Sequence, residues 1–406
     1  MPGADAVVTG IGLVSPAGIG TEANWETVCA AKPAAALDPE LDGVPVRLSC
    51  RVPGFDAAAL LGARRAHRLD RCVQFALVAV REALADADLD PADWDGTRVG
   101  VVLGCGLGGP ATAEREHQVL REEGAQWVSP LLLAMHPVGM LAGQVAIECG
   151  ARGPNLVVST ACTSGTAAIG MARDLLALGR CDIVLTGGAE APVTPLTVAG
   201  FAQMGALSRR HDDPAGASRP FDADRDGFVA GEGAGLLVLE RPEHARARGA
   251  RVRARVVGYG GSADAHHITA PHPEGRGIEA AVRAALADAG ASPDEVAHVN
   301  AHGTSTPLND AAEAAVVRRV LPGGPLVTST KGVTGHLIGA AGAVEAAYTV
   351  LAVERGLVPP TANLDRPDPG LDLDLATAPT PRRIGLALSH SIGFGGQNAV
   401  LAVAPA

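Results

Sequence analysis

Four short stretches carry side chains suited to carbonyl chemistry. The first, Val157-Val158-Ser159-Thr160-Ala161-Cys162-Thr163-Ser164-Gly165, sets a thiol between an apolar, β-branched run and an Ala-rich stretch, Thr166 to Leu178. That pattern predicts a buried strand turning into a helix, with Cys162 at the junction. Unpaired N–H groups and the positive dipole end of a helix start can lower a thiol pKa from about 8.5 into a range of roughly 3.5–7.5, which makes a nucleophile. The competing expectation is a buried, inert thiol, the commoner state of a free cysteine. The second stretch, Asn300-Ala301-His302-Gly303-Thr304-Ser305-Thr306, breaks a strand end into small hydroxyl residues around an imidazole able to move a proton at a carbonyl. The third runs from Lys331 through Gly335-His336 into an Ala-rich helix bearing Glu345. The fourth, Gly393-Phe394-Gly395-Gly396, lets backbone N–H groups approach an oxyanion closely. Taken singly, each has an ordinary structural explanation, such as a core histidine or a glycine turn.

An internal repeat brings the four together. Ala79-Val80-Arg81-Glu82-Ala83-Leu84-Ala85-Asp86-Ala87 matches Ala281-Val282-Arg283-Ala284-Ala285-Leu286-Ala287-Asp288-Ala289, and a proline and a strand follow in each copy. Val158-Ser159-Thr160 resembles Thr328-Ser329-Thr330, and Gly233 to Leu239 resembles Gly396 to Val403. Three anchors in one order imply an α/β fold of two pseudo-twofold-related halves, 1–250 and 251–406. The offset between copies shrinks along the chain, which places extra residues in the first half, at about 104–150. Cys162 and Lys331 then occupy nearly equivalent turns that border one central site. Asp70 is the expected N-cap of a long amphipathic helix ending near Asp88.

Composition narrows the function. A formal charge of −11 argues against a nucleic-acid partner. Seven dispersed cysteines with no CxxC suit a reducing compartment. The N-terminus has no signal-peptide pattern, so a cytoplasmic location is expected. Ala125 to Ile147 lacks acidic and basic residues, but Gln126, Pro130, His136, Pro137 and Gln144 make it a buried or interface segment rather than a membrane span. Lysine occurs only at 32 and 331 in an arginine-rich chain. A lysine retained under that bias suggests a task for a compact ammonium, although Lys32 has no obvious role.

The motifs together resemble the β-ketoacyl-acyl carrier protein synthases of the elongating Cys-His-His type. The match runs through Thr160 to Gly165, Pro220-Phe221-Asp222, Gly231-Glu232-Gly233, His302 to Thr306, Lys331, Gly335-His336 and Gly393 to Gly396. This resemblance implies a thiolase-like fold with a layered αβαβα core. It implies that Cys162 holds the acyl chain as a thioester while His302 and His336 bind malonyl thioester and support its decarboxylation. Lys331 and Glu345 would order the histidines, and the N–H groups of Cys162 and Phe394 would form the oxyanion hole. Thr304 and Thr306 match contacts to the phosphopantetheine arm, Leu107 and Phe201 match acyl-pocket positions, Phe394 matches a gate, and Asp264 matches a mobile loop.

The same resemblance implies an acyl carrier protein as partner and no cofactor beyond its phosphopantetheine. Arg64, Arg65, Arg68 and Arg71, joined by Arg209 and Arg210, form the expected docking patch. No metal is expected: Asp222 to Gly227 mimics a calcium loop but lacks the twelfth-position glutamate, and His266, His267 and His272 lack a zinc spacing. Within the family, Asp212-Asp213-Pro214 and Pro359 to Leu364 favour a type II polyketide ketosynthase, with a housekeeping fatty acid elongating enzyme as the alternative. A non-condensing chain-length-factor subunit is a further alternative, against which Cys162, His302, Lys331 and His336 together argue. Both a homodimer and a heterodimer with such a subunit remain open.

Overall fold

The computed structural model describes residues 5–406. Among them, an 11-stranded sheet runs through both halves of the chain. The first half contributes Ala6–Ser15 (β1), Val99–Gly104 (β2), Asn155–Val158 (β3), Ile183–Glu190 (β4) and Gly233–Glu240 (β5). The second contributes Ala254–Ala263 (β6), His298–Asn300 (β7), Leu326–Thr328 (β8), Ala387–Gly393 (β9) and Gln397–Pro405 (β10). The order is β8-β7-β9-β10-β6-β1-β5-β4-β2-β3, with the short strand Gly18–Ile19 beside β1. From the antiparallel β6–β1 centre, each side repeats one pattern of two antiparallel pairings and then two parallel ones. The repeat in the sequence is thus a pseudo-twofold axis in the fold.

The main helices are Arg71–Asp86 (α1), Pro110–Glu122 (α2), Met140–Cys149 (α3), Ser164–Ala177 (α4), Arg276–Ala289 (α5), Pro307–Val320 (α6) and Ala341–Arg355 (α7). Asp70 caps α1 by accepting the Cys72 N–H at 3.2 Å. Helix α1 packs on β1 and β5, and its repeat mate α5 packs on β6 and β10. Glycines permit this contact. A Cβ on Gly12 would lie 1.8 Å from the Ala79 carbonyl oxygen, and one on Gly260 would lie 2.0 Å from that of Ala281. Helices α4 and α7 pack on each other and on strands of both halves, which gives the layered αβαβα arrangement. Packed against strands of both halves, α7 has no wet face. Its Ala- and Val-rich sequence is buried from Ala341 to Val353, at the centre of the largest apolar cluster.

The strand at Val157-Val158 departs from expectation. It is the terminal strand of the sheet, with Asn155 and Leu156 exposed and Val157 and Val158 half-buried. An apolar run in sequence does not distinguish a central strand from an edge. The uncharged stretch from Ala125 forms two short helical turns and then α3. Among the described residues, no helix is long and apolar enough to cross a membrane.

Candidate functional site

Cys162 lies in the turn from β3 into α4, just after Ala161, whose φ of 51° is a left-handed conformation uncommon for a residue with a Cβ. Ser164 locks that turn: its Oγ accepts the Thr160 N–H at 2.9 Å and donates to the Ala161 carbonyl at 2.6 Å. His302 follows β7, and His336 follows the short turn Lys331–Thr334 that succeeds β8. The pseudo-symmetry brings all three to one cavity of about 350 Å³, which Phe394, Phe201, Thr304 and Thr306 also line. The two threonine hydroxyls are 2.8 Å apart, in hydrogen-bond contact.

Burial pushes the Cys162 thiol up to about 12, while Lys331 and the Phe394 N–H, which hydrogen bonds to its sulfur, pull the other way. The lowered thiol pKa expected from a helix start is therefore corrected. Desolvation of the thiolate outweighs the nearby positive groups. At neutral pH the resting group is a thiol.

Burial likewise pushes His302 and His336 well below 6.5, and the Lys331 ammonium adds to it, so both imidazoles are neutral. Their rings meet edge-on, 5.2 Å between centroids, and Phe228 walls the far side of His336 at 5.3 Å. Lys331 and Glu345 do not line the cavity; they sit behind His302. The Lys331 ammonium pairs with the Glu345 carboxylate, donates to the His302 carbonyl at 2.6 Å and stands 3.4 Å from His302 Nδ1. Burial raises the Glu345 carboxyl to about 7, and Lys331 offsets only part of that rise. An ammonium donating to Nδ1 leaves the ring proton on Nε2, where it can act as a donor.

The sequence reading missed Glu313. This carboxylate on α6 accepts the His302 and Gly303 N–H groups, each at 2.8 Å, and His390 Nδ1 lies 3.1 Å from it. Burial would raise it, but His390 and the two N–H groups hold it below the ordinary carboxylate range. Ser329, which donates to the Gly303 carbonyl at 2.8 Å, was missed as well. Glu313 does carry a signal: it is a single acid inside Ala311-Ala312-Glu313-Ala314-Ala315. An acid in an apolar helix stretch is buried and must find partners.

Two substrate-binding expectations change. Neither Leu107 nor Asp264 lines the cavity. Leu107 lies at the surface, more than a third exposed. Asp264 instead braces the Phe394 turn: its N–H donates to the Gly396 carbonyl at 2.7 Å and its carboxylate accepts from Asn398 at 2.9 Å. Gly395 donates to the Ile268 carbonyl of the same loop at 2.6 Å.

The arginines expected to form a docking patch are not equivalent in the fold. Arg71 makes a two-pronged pair with buried Glu232, and Arg65 pairs with Glu148, so both are engaged within the fold. Arg210 donates to the Asp224 carbonyl at 2.9 Å. Arg64, Arg68 and Arg209 are exposed. Residues spaced three or four apart on one short segment looked equivalent in sequence, but the fold turns alternate members inward.

Comparison with known proteins shows the family. The profile described as "Beta-ketoacyl synthase, N-terminal domain" matches residues 4–245, and "Beta-ketoacyl synthase, C-terminal domain" matches 253–365. The chain is 44% identical over 403 residues to 3-oxoacyl-(acyl-carrier-protein) synthase 2 of Vibrio cholerae, covering 97% of each chain. It resembles the crystal structure of a β-ketoacyl synthase from Burkholderia phymatum with TM-score 0.93, at 34% identity and 99% coverage of both chains. A type II polyketide ketosynthase, solved with its acyl carrier protein, matches with TM-score 0.90 at 34% identity, again over 99% of both chains. The layered core is thus the thiolase-like fold, and the chain belongs to the β-ketoacyl synthase family.

Proposed function

We propose that this protein elongates fatty acyl chains by decarboxylative Claisen condensation. The observation that carries the proposal is the convergence of Cys162, His302 and His336 on one cavity, with the Phe394 N–H on the sulfur. In the first half-reaction Cys162 attacks an acyl-carrier thioester. The sulfur–acyl bond forms, the bond to the carrier breaks, and the thiol proton ends on the departing phosphopantetheine thiol. Thr304 and Thr306 hold the incoming arm. Malonyl thioester then loses carbon dioxide, and the electron pair is left as an enolate whose oxygen faces the donors of His302 and His336. Neutral imidazoles suit this role, because each keeps an N–H to donate without bringing a full charge into the cavity. The enolate carbon attacks the Cys162 thioester. The oxyanion is received by the N–H groups of Cys162 and Phe394; its collapse breaks the sulfur–acyl bond, and the expelled Cys162 thiolate takes up one proton from water to restore the thiol. Only the carrier-borne phosphopantetheine is needed beside the protein itself.

The curated relatives at 43–44% identity are named 3-oxoacyl-(acyl-carrier-protein) synthase 2, which favours fatty acid elongation over the polyketide pathway that the sequence motifs suggested. The polyketide reading ranks second and rests on structural neighbours at 34% identity. An oligomer is also part of the proposal. The outer edge of β8 is covered, because Val327 donates to the Asp374 carbonyl and Ala376 donates back to Val327. Its symmetry mate β3 has no neighbour on its outer side among the described residues, and exposed Leu156 and Ile147 lie close by. An uncovered apolar edge suits pairing with a second copy or a homologous subunit.

The test is intact mass after incubation with acyl-carrier protein, followed by malonyl-carrier protein. A mass gain equal to the acyl group, absent in Cys162→Ala, and then release of a product two carbons longer are expected. Absence of any gain across acyl lengths would overturn the reading of a self-sufficient enzyme. A preference for poly-β-keto over saturated chains would move the protein to the polyketide reading.

A further inference from the structure

Phe228 holds a fixed place beside one of the two histidines. Its ring is buried and meets the His336 ring edge-on, 5.3 Å between centroids at 80°. Phe201 packs edge-on against the same ring at 5.4 Å. The main chain here is held at both ends. The Phe228 N–H donates to the Ala206 carbonyl and the Phe228 carbonyl accepts the Ser208 N–H, each at 3.0 Å. Gly227 before it donates to the Ser305 carbonyl at 3.1 Å, and Val229 after it accepts the His336 N–H at 2.8 Å. No side chain fits at 227, where a Cβ would lie 2.4 Å from the Leu207 carbonyl carbon. One short segment thus joins the loop of His302 to that of His336, and the Phe228 backbone cannot shift without breaking it.

The cavity walls divide by task. The Phe394 N–H bonds the Cys162 sulfur, and Gly393 stands beside the Cys162 nitrogen, 3.3 Å from where a glycine Cβ would lie. That side belongs to the acyl thioester. In the function proposed above, a malonyl thioester has its sulfur toward Thr304 and Thr306, its oxygen at the imidazoles and one face toward Cys162. Its C2 lies one bond beyond the carbonyl carbon, about 2.4 Å from that oxygen. Next to His336, the wall left for the C2 substituents is the aromatic pair Phe201 and Phe228. A methyl carbon there must stand about 3.5–4.0 Å from every ring carbon, where a hydrogen needs far less room. A packed wall that cannot shift does not make that room.

We propose that Phe228 restricts the extender unit to unbranched malonyl, because its fixed ring takes the space that an α-alkyl group on C2 needs, and methylmalonyl thioester is rejected. This rests on the condensing function proposed above and adds the substituent that the site refuses. The chemical step with a branched extender is otherwise the same. Carbon dioxide leaves, the C2 electron pair forms the new carbon–carbon bond, the sulfur–acyl bond breaks, and the methyl stays on C2 of the β-keto product. One methylene's difference against an apolar wall is worth about 10–200-fold in discrimination.

The test is a competition. Cys162 is first loaded from acyl-carrier protein, malonyl- and racemic methylmalonyl-carrier proteins are then offered together, and unbranched and α-methyl products are separated by mass. Wild type is expected to favour the unbranched product by at least about tenfold. Phe228→Ala should move the product ratio toward the branched product by about tenfold or more, whatever happens to the total rate. A lower rate with an unchanged ratio would show that the ring only supports His336, and would overturn the proposal, as would a wild type that uses both extenders equally. Should Phe228→Ala fail to fold, Phe228→Leu keeps an apolar side chain without the ring, and the ratio must move the same way. If malonyl is condensed and neither variant moves the ratio, only the role of Phe228 fails; if loaded wild type condenses neither extender, the function fails and this inference with it.

Discussion

The ammonium of Lys331 reaches the main chain and the ring of His302 at once, at 2.6 Å from its carbonyl oxygen and 3.4 Å from Nδ1, and its remaining donor goes to Glu345. All three N–H donors are used, in a position with no exposure to solvent. A guanidinium is larger, planar and forked, and cannot direct three donors from one point. That geometry explains why lysine stands here in a chain that otherwise uses arginine.

Breaking this pair exposes its two contributions. Lys331→Met leaves the Glu345 carboxylate buried without its cation and should cost about 3–5 kcal/mol of stability. Adding Glu345→Leu should recover much of that loss, because two apolar groups replace a desolvated pair. Condensation should not recover, since the His302 ring has lost its donor. Thermal unfolding and condensation rates, measured on both variants, check the two halves of this statement.

The two histidines are expected to act on malonyl rather than on the resting acyl enzyme. His302→Ala and His336→Ala should each lower malonyl decarboxylation by about 10²–10³-fold, the usual cost of one oxyanion donor. Acylation of Cys162, read by intact mass, should fall far less. Equal losses in both steps would remove the assignment of these imidazoles to the enolate.

Of the arginines near the surface, only those left free by the fold should serve carrier-protein docking. Arg64→Glu together with Arg68→Glu is expected to raise the KM for acyl-carrier protein by about tenfold at low salt, with the difference shrinking as ionic strength rises. Arg71→Glu places a like charge against buried Glu232 and should lower the melting temperature instead. Steady-state kinetics over a salt series separates the two groups.

Stability should fall as pH rises from acid to neutral through Glu190. Burial raises its carboxyl from 4.5 to about 7, and the hydrogen bonds from Gly106, Leu107, Cys105 and Gly339 only partly offset that. A raised carboxyl binds its proton more tightly in the folded chain. Its stabilising contribution is fully present below about pH 4.5 and is lost as pH climbs through about 7. The shift corresponds to about 3 kcal/mol across that window. Denaturant melts at pH 4.5 and pH 8 should therefore differ less in Glu190→Gln than in wild type, by an amount of this order.

Much of the fold was legible because its units repeat. The match of Ala79–Ala87 to Ala281–Ala289 identified two equivalent helices, and the structure sets them on equivalent strand pairs, with Gly12 and Gly260 making the same close approach. The site motifs were legible because thiol, imidazole and glycine-turn chemistry is local in the chain. Two buried acids, Glu190 and Glu313, were not. Glu190, Glu313 and Glu345 are each a single acid among Ala, Val or Gly, a pattern that marks burial, yet only Glu345 was singled out, through the family resemblance. The pattern shows that an acid needs partners without saying which donors it will meet.

By itself, then, the sequence determined the α/β class and the twofold repeat, which depend on residue type and spacing along the chain, while a nucleophile and two imidazoles were expected from the family resemblance of their motifs. Tertiary structure alone decided the quantities that depend on what surrounds a group. It made Cys162 a neutral thiol instead of an activated one, turned Arg65 and Arg71 inward while Arg64 and Arg68 stayed free, and moved β3 from the core to an edge. The physical reason is the same in each case. Desolvation, ion pairing and strand order are set by groups brought near from distant parts of the chain, and no local pattern encodes which groups those are.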